Sequence, residues 1–194
     1  ISGGRDAALG RALAALHAVT ATRFGWHRDN TIGATTQSNT WDDDWARFFR
    51  DRRIAPQLAL AATNGYTGRL QRDGERLLVA LPALLEGHRP AASLLHGDLW
   101  SGNAGRLVDG APVIFDPSVH YGDREADLAM TELFGGFHSD FYAAYREAAP
   151  LPPGHALRRT LYNLYHVLNH LNLFGAAYRP QAESMIGELL ASAR

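Results

Sequence analysis

A short β-type unit near the middle of the chain most constrains its fold, because helical patterns lie on both sides of it. Residues 93–95 form a short apolar run, and two further apolar runs flank Asp109 and Gly110, a pair typical of tight hairpin turns. Pro112 limits the hydrogen-bond ladder of this hairpin, since proline has no N–H to donate. We therefore predict a mainly α-helical domain that carries a small β-hairpin.

Helical patterns account for most of the remaining chain. They cover residues 6–20, 124–134, 139–145, 157–174 and 180–193. A further helical stretch follows the polar break at residues 64–65, runs through Leu77 and Leu78, and is interrupted by Pro82. Thr40 is the expected N-cap of one more helix, whose buried stripe would comprise Trp41, Trp45, Phe48 and Phe49. Residues 23–39 lack a clear period and are rich in Gly, Asn and Thr, so we expect a loop there.

Composition excludes several classes of function. The formal net charge is −1 and no stripe of basic residues is present, so neither nucleic acid nor a membrane surface is an expected partner. The absence of cysteine excludes disulfides, thiolate metal sites and a cysteine nucleophile. No apolar run reaches the roughly 18 residues of a membrane span. The expected location is the cytoplasm.

The 194 residues suffice for one sizeable core, and we see no repeat or linker that would divide them. The chain starts with Ile-Ser-Gly-Gly, which is neither an initiator methionine nor a signal peptide. We therefore expect the sequence to begin in the middle of a longer protein.

The residues that most suggest chemistry follow the first apolar run. His96, Asp98 and Asn103 have the order and spacing of the kinase catalytic loop His-Arg-Asp-Leu-x-x-x-Asn, and Asp116 follows the hairpin. Phosphoryl transfer needs a carboxylate to take the proton of the acceptor hydroxyl and Mg²⁺ to offset the charge of the ATP phosphates. Asp98 is thus the predicted base, and Asn103 and Asp116 are the predicted ligands of Mg²⁺ and, through it, of ATP. The alternative, a surface loop, requires several independent coincidences.

Gly97 occupies the position at which protein kinases carry an arginine that pairs with an activation-loop phosphate. The sequence also lacks an Ala-Pro-Glu motif after Asp116. We therefore predict a permanently assembled site that is not switched by phosphorylation between Asp116 and Arg124, as expected of a metabolite kinase.

Longer stretches resemble the fructosamine-kinase (ketosamine-kinase) family, which belongs to the aminoglycoside-phosphotransferase-like and protein-kinase-like superfamily. The resemblance lies in residues 96–103 (HGDLWSGN), 112–117 (PVIFDP) and 121–130 (YGDREADLAM), and in residues 24–26, 30–33, 37–41, 133–137, 141–145 and 168–175. Trp100 and the block 121–130 distinguish this pattern from aminoglycoside and choline kinases. Ser101 departs slightly from it, since family members often carry glycine there.

The resemblance implies ATP-dependent phosphorylation of the sugar 3-hydroxyl of ketosamines, either free or attached to protein lysines, which amounts to deglycation. It also implies that residues 1–194 are the C-terminal lobe of a protein-kinase-like α+β fold. The sequence contains neither a Gly-rich phosphate loop nor a strand lysine paired to a helix glutamate. We therefore expect the N-terminal ATP-gripping lobe of the same protein to be absent from this chain, which alone would be weak or inactive.

Two other functions stay open. The acceptor could be another small molecule, such as an aminoglycoside, choline or homoserine. The chain could also be a non-catalytic kinase-like binding module, although the intact Asp98, Asn103 and Asp116 argue against this.

Further residues are candidates for the substrate site. Trp100 either covers the substrate sugar or braces the loop from the core. Trp26 lies in the 23–39 loop, which also offers Asn30, Gln37 and Asn39 as polar groups suited to a sugar. Asp123 either contacts substrate or caps the next helix, and Glu125 either contacts substrate or forms an ion pair.

His96 and Asp127 are expected to have supporting roles, and two further histidines are expected to be structural. His96 and Asp127 would hold the catalytic loop in place, the latter by analogy with the matching acid of related kinases. His166 and His170 have the i, i+4 spacing of a zinc-protease helix, but the glutamate of that motif is missing. We expect them to be core or pocket-lining residues.

Overall fold

A computed structural model describes residues 5–193 of the chain. Residues 1–4, on which the expectation of a mid-protein start depends, lie outside the described residues, as does residue 194. The α-helices are α1 (Arg5–His17), α2 (Trp45–Phe49), α3 (Ala55–Thr63), α4 (Arg69–Leu84), α5 (Glu125–Leu133), α6 (Ser139–Ala148), α7 (His155–Phe174) and α8 (Arg179–Ser192). The strands are β1 (Thr20–Ala21), β2 (Asn30–Ile32), β3 (Thr35–Gln37), β4 (Ala92–Leu95), β5 (Ala104–Arg106), β6 (Pro112–Ile114) and β7 (His120–Gly122). The prediction of a helix-rich domain with small β elements is confirmed.

The predicted central hairpin is present as strands β5 and β6. Gly105 pairs with Val113 and Arg106 with Pro112, so proline occupies the last rung of a short ladder. The first strand begins at Ala104, before the apolar pair that the sequence suggested, because Leu107 and Val108 belong to the turn region.

A three-stranded antiparallel sheet positions the residues that follow β4. Strand β4 lies between β1 and β7, with Ser93 paired to both Thr20 and Gly122. Because Leu95 is paired to His120 at the end of β4, the sheet fixes the point from which the predicted catalytic loop departs.

The helix predicted after Thr40 begins later than expected. Asp44 is its N-cap, and the Asp44 carboxylate accepts a hydrogen bond from the backbone N–H of Arg47 at 2.7 Å. Trp41 therefore precedes the helix and is only half-buried, whereas Trp45, Phe48 and Phe49 are in the core. Helix α2 continues into α3 through one wide π-type turn, Arg50–Ile54.

Two other expectations also need correction. Pro82 does not interrupt α4, which continues through Leu84 with the proline near its last turn. The 23–39 segment is not wholly irregular, because β2 and β3 form a hairpin within it that turns at Gly33.

The core consists of two apolar clusters. The larger one joins α2–α4, α7 and α8, and it includes Leu70, Leu77 and Leu81 on the buried face of α4. The smaller one joins α1 to α6 and includes Leu99, which follows directly after Asp98. The predicted catalytic loop is thus tied to the core by an apolar side chain. Among residues 5–193, no helix is long and apolar enough to cross a membrane.

Candidate active site

The loop between β4 and β5 contains the residues predicted for catalysis. It leaves the sheet at His96 and ends in one short 3₁₀ turn, Ser101–Asn103. Gly97 has a φ of +84° and its backbone lies against the segment after Asp116, since a Cβ atom at Gly97 would lie 2.2 Å from the carbonyl oxygen of Ser118. Any side chain at position 97 would thus clash with the backbone of Ser118, which explains the glycine.

Asp127 holds the start of this loop from the first turn of α5. Its two carboxylate oxygens accept hydrogen bonds from the backbone N–H groups of His96 (2.7 Å) and Gly97 (2.8 Å), and His17 Nε2 lies 3.1 Å from Oδ2. Burial opposes ionisation, but the hydrogen bonds and nearby positive charge outweigh it and lower the pKa of Asp127 to about 2. Asp127 is therefore an ionised anchor for the backbone that leads to Asp98.

His96 connects the loop to the segment that carries Asp116. Its Nδ1 faces the backbone N–H of Asp98 at 3.3 Å, and its Nε2 faces the carbonyl oxygen of Phe115 at 2.8 Å. A carbonyl can only accept, so Nε2 carries the proton and Nδ1 is the acceptor. Both ring nitrogens are occupied, which suits a supporting role and not that of a base.

Asn103 is oriented so that its side-chain oxygen stays available. The amide nitrogen donates to the backbone carbonyl of Asp98 at 2.9 Å, and Oδ1 has no protein partner within residues 5–193. Asp116 is exposed and adopts a φ of +54°, an uncommon conformation for a non-glycine residue. Its carboxylate also has no hydrogen-bond partner in the described part of the chain. Amide and carboxylate oxygens are the ligands that Mg²⁺ prefers, so both side chains fit this ion.

Asp98 faces a cavity of about 370 Å³ between the loop, the β2–β3 turn and the C-terminal part of α7. Burial raises the pKa of the Asp98 carboxyl above its usual value, while His96 and His170 act in the opposite direction. Trp100 also lines this cavity and is 39% exposed, so it is a wall of the cavity and not a core residue.

Several residues of the cavity wall were not predicted from the sequence. They come from the β2–β3 turn, from α5 and its C-terminal end, and from α7 and the turn that follows it: Ile32, Gly33, Met130, Phe134, Asn169, Leu173, Phe174 and Tyr178. The available signal was the pair of aromatic residues at the C-terminal ends of α5 and α7, Phe134 and Phe174. His170 also lines the cavity and packs against Phe134 and Phe174.

Asp123 and Glu125, weak candidates for substrate contact, do not reach this cavity. Both are buried: Asp123 accepts from Tyr162 Oη at 2.6 Å and lies 2.6 Å from His88 Nε2, and Glu125 forms a two-bond ion pair with Arg158. The ligand atoms of His88, Asp123 and Glu125 lie within 4.8 Å of one another, but these partners already occupy the carboxylates. Asp123 supports the start of α5, since its Oδ1 accepts from the Glu125 N–H at 3.0 Å, although the N-cap position itself is occupied by Arg124 and not by Asp123 as expected.

Trp26 is also separate from the cavity and packs against Tyr121, with ring centroids 5.4 Å apart. The polar residues of its segment face inward. Gln37 Nε2 donates to Asn30 Oδ1 at 2.9 Å and to the Ser118 carbonyl at 3.2 Å, and Asn30 Nδ2 donates to the Val119 carbonyl at 2.8 Å. These amides hydrogen-bond to the chain just after Asp116 and do not line the Asp98 cavity.

The two α7 histidines separate as expected into a core and a cavity residue. Burial lowers the pKa of His166 to about 3, so this ring is neutral, and it lies in the protein interior. His170 faces the cavity, and its Nδ1 lies 2.8 Å from the His166 carbonyl oxygen.

Comparison with known proteins connects this geometry to one family. A model of the fructosamine-kinase family matches residues 2–192. A probable ketoamine kinase of Synechocystis is 50% identical over 183 residues, which cover 94% of this chain and 61% of that protein. A chloroplastic protein-ribulosamine 3-kinase of Oryza sativa is 44% identical over 191 residues, covering 97% of this chain and 56% of that protein.

Solved structures give the same result. The crystal structure of a candidate fructosamine-3-kinase from Thermobifida fusca superposes with a TM-score of 0.91 at 38% identity, covering 98% of this chain and 66% of that one. A second one, from Haemophilus somnus, gives a TM-score of 0.88 at 28% identity. The chain thus spans a little over half the length of the curated relatives that it matches.

Proposed function

Because this chain belongs to the fructosamine-kinase family, we propose that it is the C-terminal lobe of an ATP-dependent kinase that phosphorylates the 3-hydroxyl of ketosamines. The observation that carries this proposal is the position of Asp98, which projects from a braced loop into a 370 Å³ cavity with an aromatic wall. Ketosamines that are free or attached to protein lysines are the proposed acceptors, in keeping with the ketoamine and ribulosamine kinases among the relatives.

In this proposal Asp98 accepts the proton of the sugar hydroxyl as that oxygen attacks the γ-phosphoryl group of ATP. A carboxylate at this position supplies general-base catalysis and orients the hydroxyl for in-line attack. The hydrogen bonds of Asp127 and His96 hold the Asp98 backbone, so the base needs no rearrangement of the loop to meet its substrate.

Asn103 and Asp116 are the proposed Mg²⁺ ligands, because their oxygens have no partner within the described residues and belong to the class that this ion binds. When bound, Mg²⁺ would offset the negative charge of the ATP phosphates. Hydrogen bonds within the chain hold the neighbourhood of both ligands in place. Asn103 is held by the Asp98 carbonyl, and His96 holds the Phe115 carbonyl beside Asp116.

A preceding lobe of the same protein is the proposed source of the remaining ATP contacts. The matches cover 61% and 56% of two relatives, so more than a third of each relative lies outside the match, which leaves room for such a lobe. We propose a site that is not switched by phosphorylation between Asp116 and Arg124. The Ser118 hydroxyl, which lies in that stretch, is buried and donates to the Thr31 carbonyl at 2.8 Å.

The proposal is tested by measuring MgATP consumption by the complete protein, with this lobe and its nucleotide-binding lobe together. Fructosyl-lysine and ribulosyl-lysine are the substrates and unglycated lysine is the control. We expect ketosamine-dependent turnover that falls by about 10²- to 10⁴-fold in Asp98→Asn, the usual contribution of a general base. Asp109→Asn is the matched variant, because Asp109 is exposed in the hairpin turn, and it should leave the rate unchanged.

Each alternative gives a different result in this assay. Turnover only with an aminoglycoside, choline or homoserine would transfer the activity to another acceptor. A folded protein that binds ATP but phosphorylates none of these alcohols would be a binding module, and the proposed enzyme function would be wrong.

A further inference from the structure

Four side-chain amides form a continuous hydrogen-bonded chain between α3 and α7. Asn64 Nδ2 donates to Asn172 Oδ1 (3.2 Å), and Asn172 Nδ2 donates to Gln57 Oε1 (2.8 Å). Gln57 Nε2 then donates to Asn169 Oδ1 (3.1 Å). The two middle amides, Asn172 and Gln57, therefore each accept from the amide before and donate to the amide after.

The direction of this chain is set by backbone carbonyls, which can only accept. Asn172 Nδ2 also donates to the backbone carbonyl of Gln57 at 2.9 Å, and Asn64 Nδ2 contacts that of Asn172 at 3.4 Å. Turning the Asn172 amide over would place its oxygen against a carbonyl oxygen. Since the nitrogen of Asn172 must face Gln57, the Gln57 side chain must offer its oxygen there and its nitrogen to Asn169.

The last amide of the chain belongs to the wall of the Asp98 cavity. Asn169 is only 3% exposed, and it lines the cavity together with Asp98. Its Oδ1 is occupied by Gln57, while its Nδ2 has no hydrogen-bond partner among residues 5–193 and is not fully buried. The fixed polarity of the amide chain thus leaves the NH2 group of Asn169 as a donor that it can offer to a ligand.

We propose that Asn169 binds a hydroxyl of the substrate sugar through Nδ2, and that Gln57 and Asn172 are positioning residues that set the direction of this hydrogen bond. The inference rests on the proposed sugar-phosphorylating function. A sugar hydroxyl that accepts from Asn169 keeps its own proton free for another acceptor, and the Asp98 carboxylate lines the same cavity. A neutral donor at this position orients a hydroxyl without competing with it for Asp98.

Gln57→Glu tests the polarity without altering the cavity wall, because Gln57 is buried and does not line the Asp98 cavity. An ionised glutamate offers two acceptors, so Asn169 must turn its nitrogen toward residue 57 and present oxygen to the cavity. We expect kcat/KM for ribulosyl- or fructosyl-lysine in the complete protein to fall about tenfold, the effect of one lost hydrogen bond with an unpaired partner. The KM for MgATP should stay the same.

The pH profile separates this role from a purely structural one. A protonated glutamate can again donate to Asn169 Oδ1, and burial raises the pKa of a carboxyl group. The ratio of kcat/KM between Gln57→Glu and wild type should therefore rise toward one as the pH falls from 8 to about 6. Gln57→Met, which is similar in length but cannot donate or accept, should show a smaller loss with no such recovery.

A double-mutant cycle provides the second test. Asn169→Ala alone should lower kcat/KM about tenfold, and adding Gln57→Glu to it should change kcat/KM by less than about twofold. Should Gln57→Glu fail to fold, Asn169→Ala decides the matter by itself, and a loss below twofold would overturn the inference.

The outcomes distinguish this inference from the function on which it depends. Without ketosamine turnover by the wild-type protein, both are wrong. With normal wild-type turnover, a pH-independent effect of Gln57→Glu, or a parallel rise in the KM for MgATP, would overturn the role of the amide chain alone.

Discussion

Replacing Gly97 with alanine tests whether close backbone contact sets the position of the catalytic loop. Gly97 and Gly110 have nearly the same φ, +84° and +86°, but they differ in their surroundings. A Cβ at Gly97 would lie 2.2 Å from the Ser118 carbonyl oxygen, whereas nothing lies within 4 Å of one at Gly110. Gly110→Ala therefore measures the backbone cost alone, and Gly97→Ala measures this cost plus the steric contact.

The magnitudes follow from these distances. An alanine in the left-handed region costs about 1–2 kcal/mol, which is the whole expected effect of Gly110→Ala. Real Cβ contacts are not shorter than 3.0 Å, so Gly97→Ala must push the loop and Ser118 apart by at least 0.8 Å (3.0 minus 2.2). Overpacking of this kind adds about 1–3 kcal/mol. We expect a total loss of about 2–5 kcal/mol in the free energy of unfolding.

Gly97→Ala should also lose more activity than Gly110→Ala, because Asp98 is adjacent to Gly97. A displacement near 1 Å of a catalytic group can lower the rate about 100-fold. Urea denaturation and kcat/KM with a ketosamine substrate measure the two effects in the same preparations. The reasoning would be refuted if Gly97→Ala were as stable and as active as Gly110→Ala.

Two further perturbations test the anchor and the wall of the site. Asp127 has its pKa lowered from 3.8 to about 2, so its ionised form stabilises the fold by about 2 kcal/mol, in full above pH 4 and lost as the pH falls through 2. The stability difference between wild type and Asp127→Asn in urea titrations should thus narrow between pH 4 and pH 2, and a constant difference would contradict the ionised anchor. Trp100→Ala should lower kcat/KM for ketosamines about tenfold. The free energy of unfolding should change by less than about 1 kcal/mol, because the side chain is 39% exposed. A large loss of stability with unchanged kinetics would show that Trp100 braces the loop instead.

The sequence predicted best where local chemistry decides the structure. The hairpin turn at Asp109 and Gly110, the helix-rich class and the loop from His96 to Asn103 all depend on short patterns with fixed spacing. The β2–β3 hairpin was missed because each strand has only three residues and carries polar side chains that are buried through amide hydrogen bonds.

Long-range partners explain the other differences. Of the two alternatives for Glu125, the structure has the ion pair, but nothing near Glu125 in sequence identifies Arg158, its buried partner 33 residues later. Thr40 and Asp44 are both good capping residues, and the isolated bridge between Phe24 and Asp42 keeps the chain extended beyond Thr40. The amide chain that ends at Asn169 was likewise invisible, since Gln57 and Asn169 lie 112 residues apart.

The bracing of the catalytic loop has a consequence for the order in which the site is completed during synthesis. Asp127 is paired with His17 of α1, 110 residues earlier, and His17 Nδ1 lies 2.7 Å from the hydroxyl of Tyr145, which is 128 residues after His17. A nascent chain grows from its N-terminus and helices form early, but these contacts require both ends of the interval to be present. A nascent chain that has not yet reached Tyr145 therefore carries the loop sequence without the hydroxyl that contacts His17, the partner of Asp127.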